Sequence, residues 1–258
     1  MNEANNTGSD CVGRTVGKGR YELLEWWGQG SQGNSYRAHD KQEGREIFIK
    51  LYSDYFYLSC ATRQHFLESA KLTRKLVHPN IVRVFDIWEN EADVFFTMEF
   101  LQGMSLGRYL RNIRQAQQIM TVSQALTIMD QICDALAYAH DNGAVHGAIS
   151  LENLWLTPSG HAKLMEFGLG GTVDAYAPEQ FVSNAESFEL DGRADQYQLA
   201  WVLHVMLVGG GPTPGYKSLS DWRKDLSPSF SQVIEKALST DKEQRYADMS
   251  KFRSALRC

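Results

Sequence analysis

Cysteine is scarce and scattered. Cys11, Cys60, Cys133 and Cys258 are the only four in 258 residues, and they form no CxxC pair. A disulfide framework and a structural zinc site are therefore not expected, and a reduced intracellular protein is. No apolar run approaches the roughly 18 residues of a membrane span. The opening "MNEANNTGSD" lacks the basic and then apolar pattern of a secretory leader. Positive charge is in deficit, with 26 Lys and Arg against 31 Asp and Glu and a net charge of −5. A general binder of nucleic acid or of an anionic membrane is not expected from that balance. There are no internal repeats, and His39, His65, His140, His161 and His204 show no metal-ligand spacing.

What is present is ordinary core-forming material, 43% hydrophobic and 22% charged. Residues 1–18 are polar, without an apolar period, and read as a disordered tail in which Thr7 and Ser9 are accessible to a modifying enzyme. From Tyr21 to Leu51 the pattern alternates between glycine breaks and predicts three antiparallel strands. Of the neighbouring Trp26 and Trp27, one must face outward on a strand. "CATRQHFLESAKLTRKLV" has helical spacing and stops before "HPN". "IVRVFDIW" and "VFFTMEFL" read as two further strands. After Gly103 the character becomes helical: "SLGRYLRNIRQAQ", a long helix ending at Asn142-Gly143, the strongly apolar "ADQYQLAWVLHVMLV", and two helices at 228–239 and 246–257. Short strands "LWLT" and "AKLM" flank the turn "PSGH". The class is α+β, in two parts.

Gly28-x-Gly30-x-x-Gly33 is followed by a strand and not a helix, which argues against a dinucleotide-binding turn. Lys50 closes the strand "IFIK". Then, in order, come "HPNIV", "TMEFLQGMSL", "HGAISLEN" (146–153), "MEFGL", "YAPEQ", "ADQYQLAWVL" and "DKEQRY". Over about residues 20–257 this series resembles the protein kinase superfamily, in its bacterial Ser/Thr form. The resemblance implies a bilobal fold with a small antiparallel β-rich N-lobe carrying one main helix (19–101). A larger, mostly helical C-lobe follows (102–258). It implies the places of a glycine-rich loop at Gly28, Gly30 and Gly33, of a nucleotide lysine at Lys50 and of a metal ligand at Asn153. All are read here as vestigial, with Asn153 expected to act as a structural hydrogen-bonder. His146, Phe167, Glu179, Asp195 and Arg245 fall on structural positions, with Arg245 expected to pair with Glu179.

The departures fall on chemistry. The family's catalytic Asp aligns with Ala148, its catalytic-loop Lys with Ser150, and the Arg before the Asp with Gly147. Glu166 stands in place of the metal-binding Asp. The partner expected for Lys50 falls on Ser69, while Glu68, one residue earlier, is about 100° round the helix. Phe48 and Trp155 fall on the positions above and below the adenine ring, and two facing aromatics there are expected to fill the slot. Only Leu169 and Gly170 lie between Gly168 and "GT", so the activation segment is cut short; Thr172 is read as structural.

These losses imply a pseudokinase: no enzyme, no cofactor and no metal site, with a scaffold or allosteric role in signalling. The expected partner is another protein, such as an active kinase or a phospho-recognition module. Nucleic acid is not expected as a partner, nor is a membrane within this chain. A cytoplasmic location is expected, including that of a cytoplasmic domain in a longer protein. Two alternatives stay open. One is a weak, divergent ATP-dependent phosphotransferase using Lys50, Glu166 and Asn153. The other is a sensor of a different flat ligand in the former nucleotide cleft.

Overall fold

The computed structural model describes residues 11–30, 33–52, 60–90, 94–167, 174–181, 190–212 and 218–257. The chain divides into two compact units. One takes the described residues among 1–77 and 82–102, the other those among 78–81 and 103–258.

The first unit is an antiparallel sheet with one helix. Its strands are β1 (Thr15–Val16), β2 (Tyr21–Gly30), β3 (Gly33–Asp40) and β4 (Arg45–Tyr52), then helix α1 (Cys60–Lys75), β5 (Val84–Glu89) and β6 (Val94–Glu99). The spatial order is β1-β2-β3-β4-β6-β5. Alternation puts Leu23, Tyr36, Ala38, Ile47, Ile49 and Phe95 on one buried face. Tyr21 meets Phe95 edge to face at 5.7 Å. The turn between β3 and β4 is fixed by Asp40, whose Oδ1 accepts from the N–H groups of Gln42 and Glu43. Arg20 grips the same carboxylate at 2.9 and 2.7 Å.

Two expectations for this unit need correction. The disordered tail of 1–18 does not extend to its end. Val16 is buried and β1 pairs with Tyr21 and Glu22, because an apolar side chain before Gly17 gives the chain something to bury. Residues 1–10, with Thr7 and Ser9, lie outside the described residues. The tryptophan pair does not split into one inward and one outward residue: Trp26 is 41% and Trp27 40% exposed. The register with β3 shifts between Trp26 and Gly28, so Trp27 sits in a bulge, where strict alternation fails.

The second unit holds β7 (Met104–Ser105), α2 (Leu106–Gln115), α3 (Val122–Asp141), β8 (Leu154–Leu156), β9 (Ala162–Leu164), α4 (Gly192–Val208), α5 (Leu219–Trp222), α6 (Pro228–Ala237) and α7 (Met249–Leu256). β7, β8 and β9 form a second, three-stranded sheet. Gly103 enters it with φ +124°, and a Cβ there would lie 2.0 Å from the Leu156 carbonyl oxygen, so only glycine fits. Helix α3 starts in a capping box, Thr121 with Gln124. Helix α4 is buried on nearly every side, as its apolar sequence implies, and ends at Gly209 in the left-handed region. Cys133 is buried within α3, and burial pushes its thiol up to about 12.

"HPN" belongs to this unit and not to a strand of the first. Asn80 Nδ2 donates to the Ala162 carbonyl at 2.8 Å and to Gln131 Oε1 at 2.9 Å. Among the described residues no helix is long and apolar enough to cross a membrane.

Two ion-pair systems tie the helices together. Arg245 has a fully buried side chain and donates to both oxygens of Glu179, at 2.7 and 2.8 Å. It also donates to the carbonyls of Arg193 and Ser239. Asp130 of α3 accepts from Arg253 at 2.9 and 2.8 Å and from Arg257 at 2.8 Å, which fastens α7 to α3.

Replacing Arg245 with Ala removes two hydrogen bonds to the Glu179 carboxylate and those to two carbonyls. A loss of roughly 3–5 kcal/mol is expected in urea denaturation; a loss below about 1 kcal/mol would show the pair dispensable. The Arg253 hydrogen bonds hold the Asp130 carboxyl at about 2. A carboxyl depressed on folding stabilises above its unfolded pKa, about 4, and that contribution fades as pH falls towards the folded value. The melting temperature is therefore expected to fall more steeply between about pH 4 and pH 2 in the wild type than in Asp130→Asn. Parallel curves would mean that the pair contributes nothing measurable, as partly exposed pairs often do.

Candidate active site

The loop 146–153 lies in the second unit and is held mainly by hydrogen bonds to its backbone. At its base Asp195, from the first turn of α4, is completely buried. Its Oδ2 accepts from His146 N at 2.9 Å and its Oδ1 from Gly147 N at 2.7 Å. His140 Nε2 meets the same carboxylate at 2.7 Å. An unsatisfied buried carboxylate would be costly, so these contacts satisfy the group and fix the loop.

His146 uses both ring nitrogens. Nδ1 accepts from Ala148 N at 3.2 Å, which puts the ring proton on Nε2, where it donates to the Met165 carbonyl at 2.8 Å. Burial pushes its pKa down, in keeping with that neutral ring. Phe167 lies against the imidazole, with ring centroids 4.6 Å apart. Gly147 has φ +72°, a conformation unfavourable for the side chain that the family places there. Its carbonyl accepts from Gln180 at 3.0 Å and Gln198 at 3.2 Å, while Gln198 Oε1 accepts from Ile149 N at 2.9 Å.

Two of the substituted positions lie inside this frame. Ala148 and Ser150 are buried, and the Ser150 hydroxyl accepts from Asn153 N at 3.2 Å. Asn153 Nδ2 donates to the Ala148 carbonyl at 2.9 Å, which aims the amide oxygen the other way. Met165 N donates to the Asn153 carbonyl at 3.0 Å, so the loop and the segment carrying Glu166 are joined. Glu166 has φ +64°, a left-handed conformation costing a non-glycine residue roughly 1–3 kcal/mol.

In the first unit Lys50 is buried on β4, its backbone paired with Ser35 and Phe96, and its ammonium lies 5.6 Å from the Tyr52 ring centre. Gly28 and Gly30 lie on β2, and Gly30 is paired with Gly33. At Gly33 a Cβ would stand 2.1 Å from the Leu51 carbonyl. Phe48 shares the face of Lys50 by strand parity, and its ring meets Trp27 edge to face at 5.9 Å. It therefore has an aromatic partner inside its own sheet. Trp155 is on β8, paired with Ser105 and Lys163. Glu68 is exposed on α1; the side chain of Ser69, and Gly168 to Thr172, lie outside the described residues.

Sequence reasoning missed three side chains that touch the loop. Gln180 and Gln198 follow the A-P-E glutamate and the α4 aspartate within motifs already recognised. The third is Asp174, whose Oδ2 accepts from Leu151 N at 2.5 Å. Burial raises the pKa of this carboxyl, with the Leu151 N–H acting against it and the Glu152 charge adding to it. Its position in "GTVDAYAPE" was the available signal.

A family model described as "Protein kinase domain" matches residues 21–255. The serine/threonine-protein kinase PknD of Chlamydia muridarum is 26% identical over 295 residues, covering 92% of this chain and 31% of that protein. PrkC of Bacillus subtilis, also named a serine/threonine-protein kinase, is 28% identical over 264 residues, covering 91% of this chain and 39% of its own length. The chain thus spans about a third of the length of these relatives. Among solved structures, a double mutant of the Mycobacterium tuberculosis PknI kinase domain superposes with a TM-score of 0.85 at 25% identity. That match covers 95% of this chain and 97% of the other.

These relatives correct the expectation that the chain is no enzyme. Proteins that match over nine tenths of it carry the name of serine/threonine-protein kinases. The expectation weighed the side chains lost at Ala148 and Ser150 against too little of the rest, since phosphoryl transfer depends mostly on positioning. With the kinase-like α+β fold and the family model covering almost its whole length, the chain belongs to the protein kinase domain family.

Proposed function

We propose that the chain is a divergent ATP-dependent phosphotransferase domain, acting in the cytoplasm on serine or threonine hydroxyls of another protein. The observation that carries this reading is the strained backbone of Glu166. A left-handed non-glycine residue persists only where its surroundings over-determine it, and such residues gather at working sites. Here the neighbours that hold it are Met165, bonded to both His146 and Asn153, and the buried Phe167.

The roles follow from chemistry. Lys50 supplies positive charge to the nucleotide phosphates. Among the described residues no group of three or more His, Cys, Asp or Glu is built as a metal cage. Mg²⁺ does not need one, because it is held by one or two protein groups together with phosphates and water. Glu166, with its carboxylate, and Asn153, with its amide oxygen, are groups of the kind that demand calls for. The bound ion would neutralise charge on the transferring phosphoryl group. The protein partner finds apolar surface at Tyr176 and Phe181, 47% and 74% exposed and paired edge to face at 5.5 Å beside Glu179. A regulatory role in a signalling assembly would use the same surface.

The test is transfer from γ-labelled ATP to a mixed serine- and threonine-containing protein substrate in Mg²⁺. Labelling is expected in the wild type, with a loss of roughly 10²-fold or more in Lys50→Met, the scale for removing one charge-stabilising group. Wild-type labelling no higher than that of Lys50→Met would overturn the reading.

A further inference from the structure

The loop 146–153 has no base of its own. His146 is bonded at both nitrogens, the Ser150 hydroxyl and the Asn153 amide hold the backbone, and position 148 is alanine. The loop's one carboxylate, Glu152, is drawn outward to Arg111 of α2 at 3.2 Å. A second carboxylate reaches the loop from elsewhere in the chain. Asp174 is seated on Leu151 N at 2.5 Å, and a carboxylate has about four lone-pair sites, so this bond leaves most of its capacity open.

That seat is built. Just after Asp174 the chain is stitched to the loop a second time: Gln180 Oε1 accepts from Ala177 N at 2.7 Å while its Nε2 donates to the Gly147 carbonyl at 3.0 Å. Only six residues separate Phe167 from Asp174. Asp174 itself thus brings an acidic side chain to the loop.

We propose that Asp174 is the base that receives the substrate hydroxyl's proton, supplying from the shortened segment the carboxylate absent at Ala148. The inference rests on the phosphotransferase reading. In the step, the acceptor serine or threonine oxygen attacks the γ-phosphorus of ATP. The new O–P bond forms as the bond to the ADP oxygen breaks, and the hydroxyl proton passes to Asp174, which later yields it to water. Desolvation and the neighbouring Glu152 charge raise the Asp174 pKa, and the Leu151 N–H lowers it. The raising influences move it towards the working range of a base near neutral pH.

The experiment compares wild type and Asp174→Asn for kcat, nucleotide affinity, melting temperature and the pH dependence of kcat. Asn still accepts from Leu151 N but cannot take the proton. A fall in kcat of roughly 10²–10⁴-fold is expected, with nucleotide affinity and melting temperature unchanged and the acidic limb of the pH profile gone. A variant within about threefold of wild type that keeps its acidic limb overturns the proposal, while the wild type's turnover leaves the phosphotransferase reading standing. No turnover in the wild type brings down both. Leu151→Pro removes the N–H that lowers the Asp174 pKa, and should move the acidic limb to higher pH without abolishing it. An unmoved limb in that variant overturns the proposal even if Asp174→Asn does not fold.

Discussion

A single buried carboxylate organises the site. Asp195 is out of reach of water and is made tolerable by the N–H groups of His146 and Gly147 and by His140. Those contacts set where the loop begins, and the turn at Gly147 sets its direction. His146 then passes the constraint on, through its two ring nitrogens, to Ala148 and to the Met165 carbonyl just before Glu166. The geometry of the loop thus comes from α4 beneath it and not from whatever side chain stands at position 148.

That separation explains how the chain tolerates changes that look fatal in a motif. Replacing an acid by alanine at position 148 removes one function but no support, because the loop is held by its backbone and by Asn153, Gln180 and Gln198. The Arg245–Glu179 pair steadies the far side of the same segment. Losing a proton acceptor slows phosphoryl transfer without forbidding it. Another carboxylate, that of Asp174, touches the loop at Leu151, and the lost function is the one proposed for it.

Much of this could be read in the sequence, and for identifiable reasons. Strand alternation in the first unit, the all-round apolar α4 and the ordered series of motifs led to the α+β kinase-like fold. The pairing of Arg245 with Glu179 came from residues at motif positions. What could not be read depended on contacts distant in sequence. Val16 is buried only because β2 folds back on it. Trp27 escapes alternation because of a one-residue bulge. "HPN" joins the second unit through Asn80 and its bonds to Ala162 and Gln131, at separations of 82 and 51 residues. Asp174 stands within a motif already recognised, but its contact with Leu151, 23 residues away, is not legible there. The larger misreading was of function: individual side chains were counted, while the support of the loop was not visible.

The central claim is that this frame still serves a nucleotide and its metal. The melting temperature with ATP, taken separately in Mg²⁺ and in EDTA, tests it without any need to know the protein substrate. Ligand at about 100 times its dissociation constant should add roughly 2.7 kcal/mol, or about 2–4 °C for a chain of this size. A rise of that order in Mg²⁺, lost in EDTA, is the expected result. No shift under either condition would contradict the account.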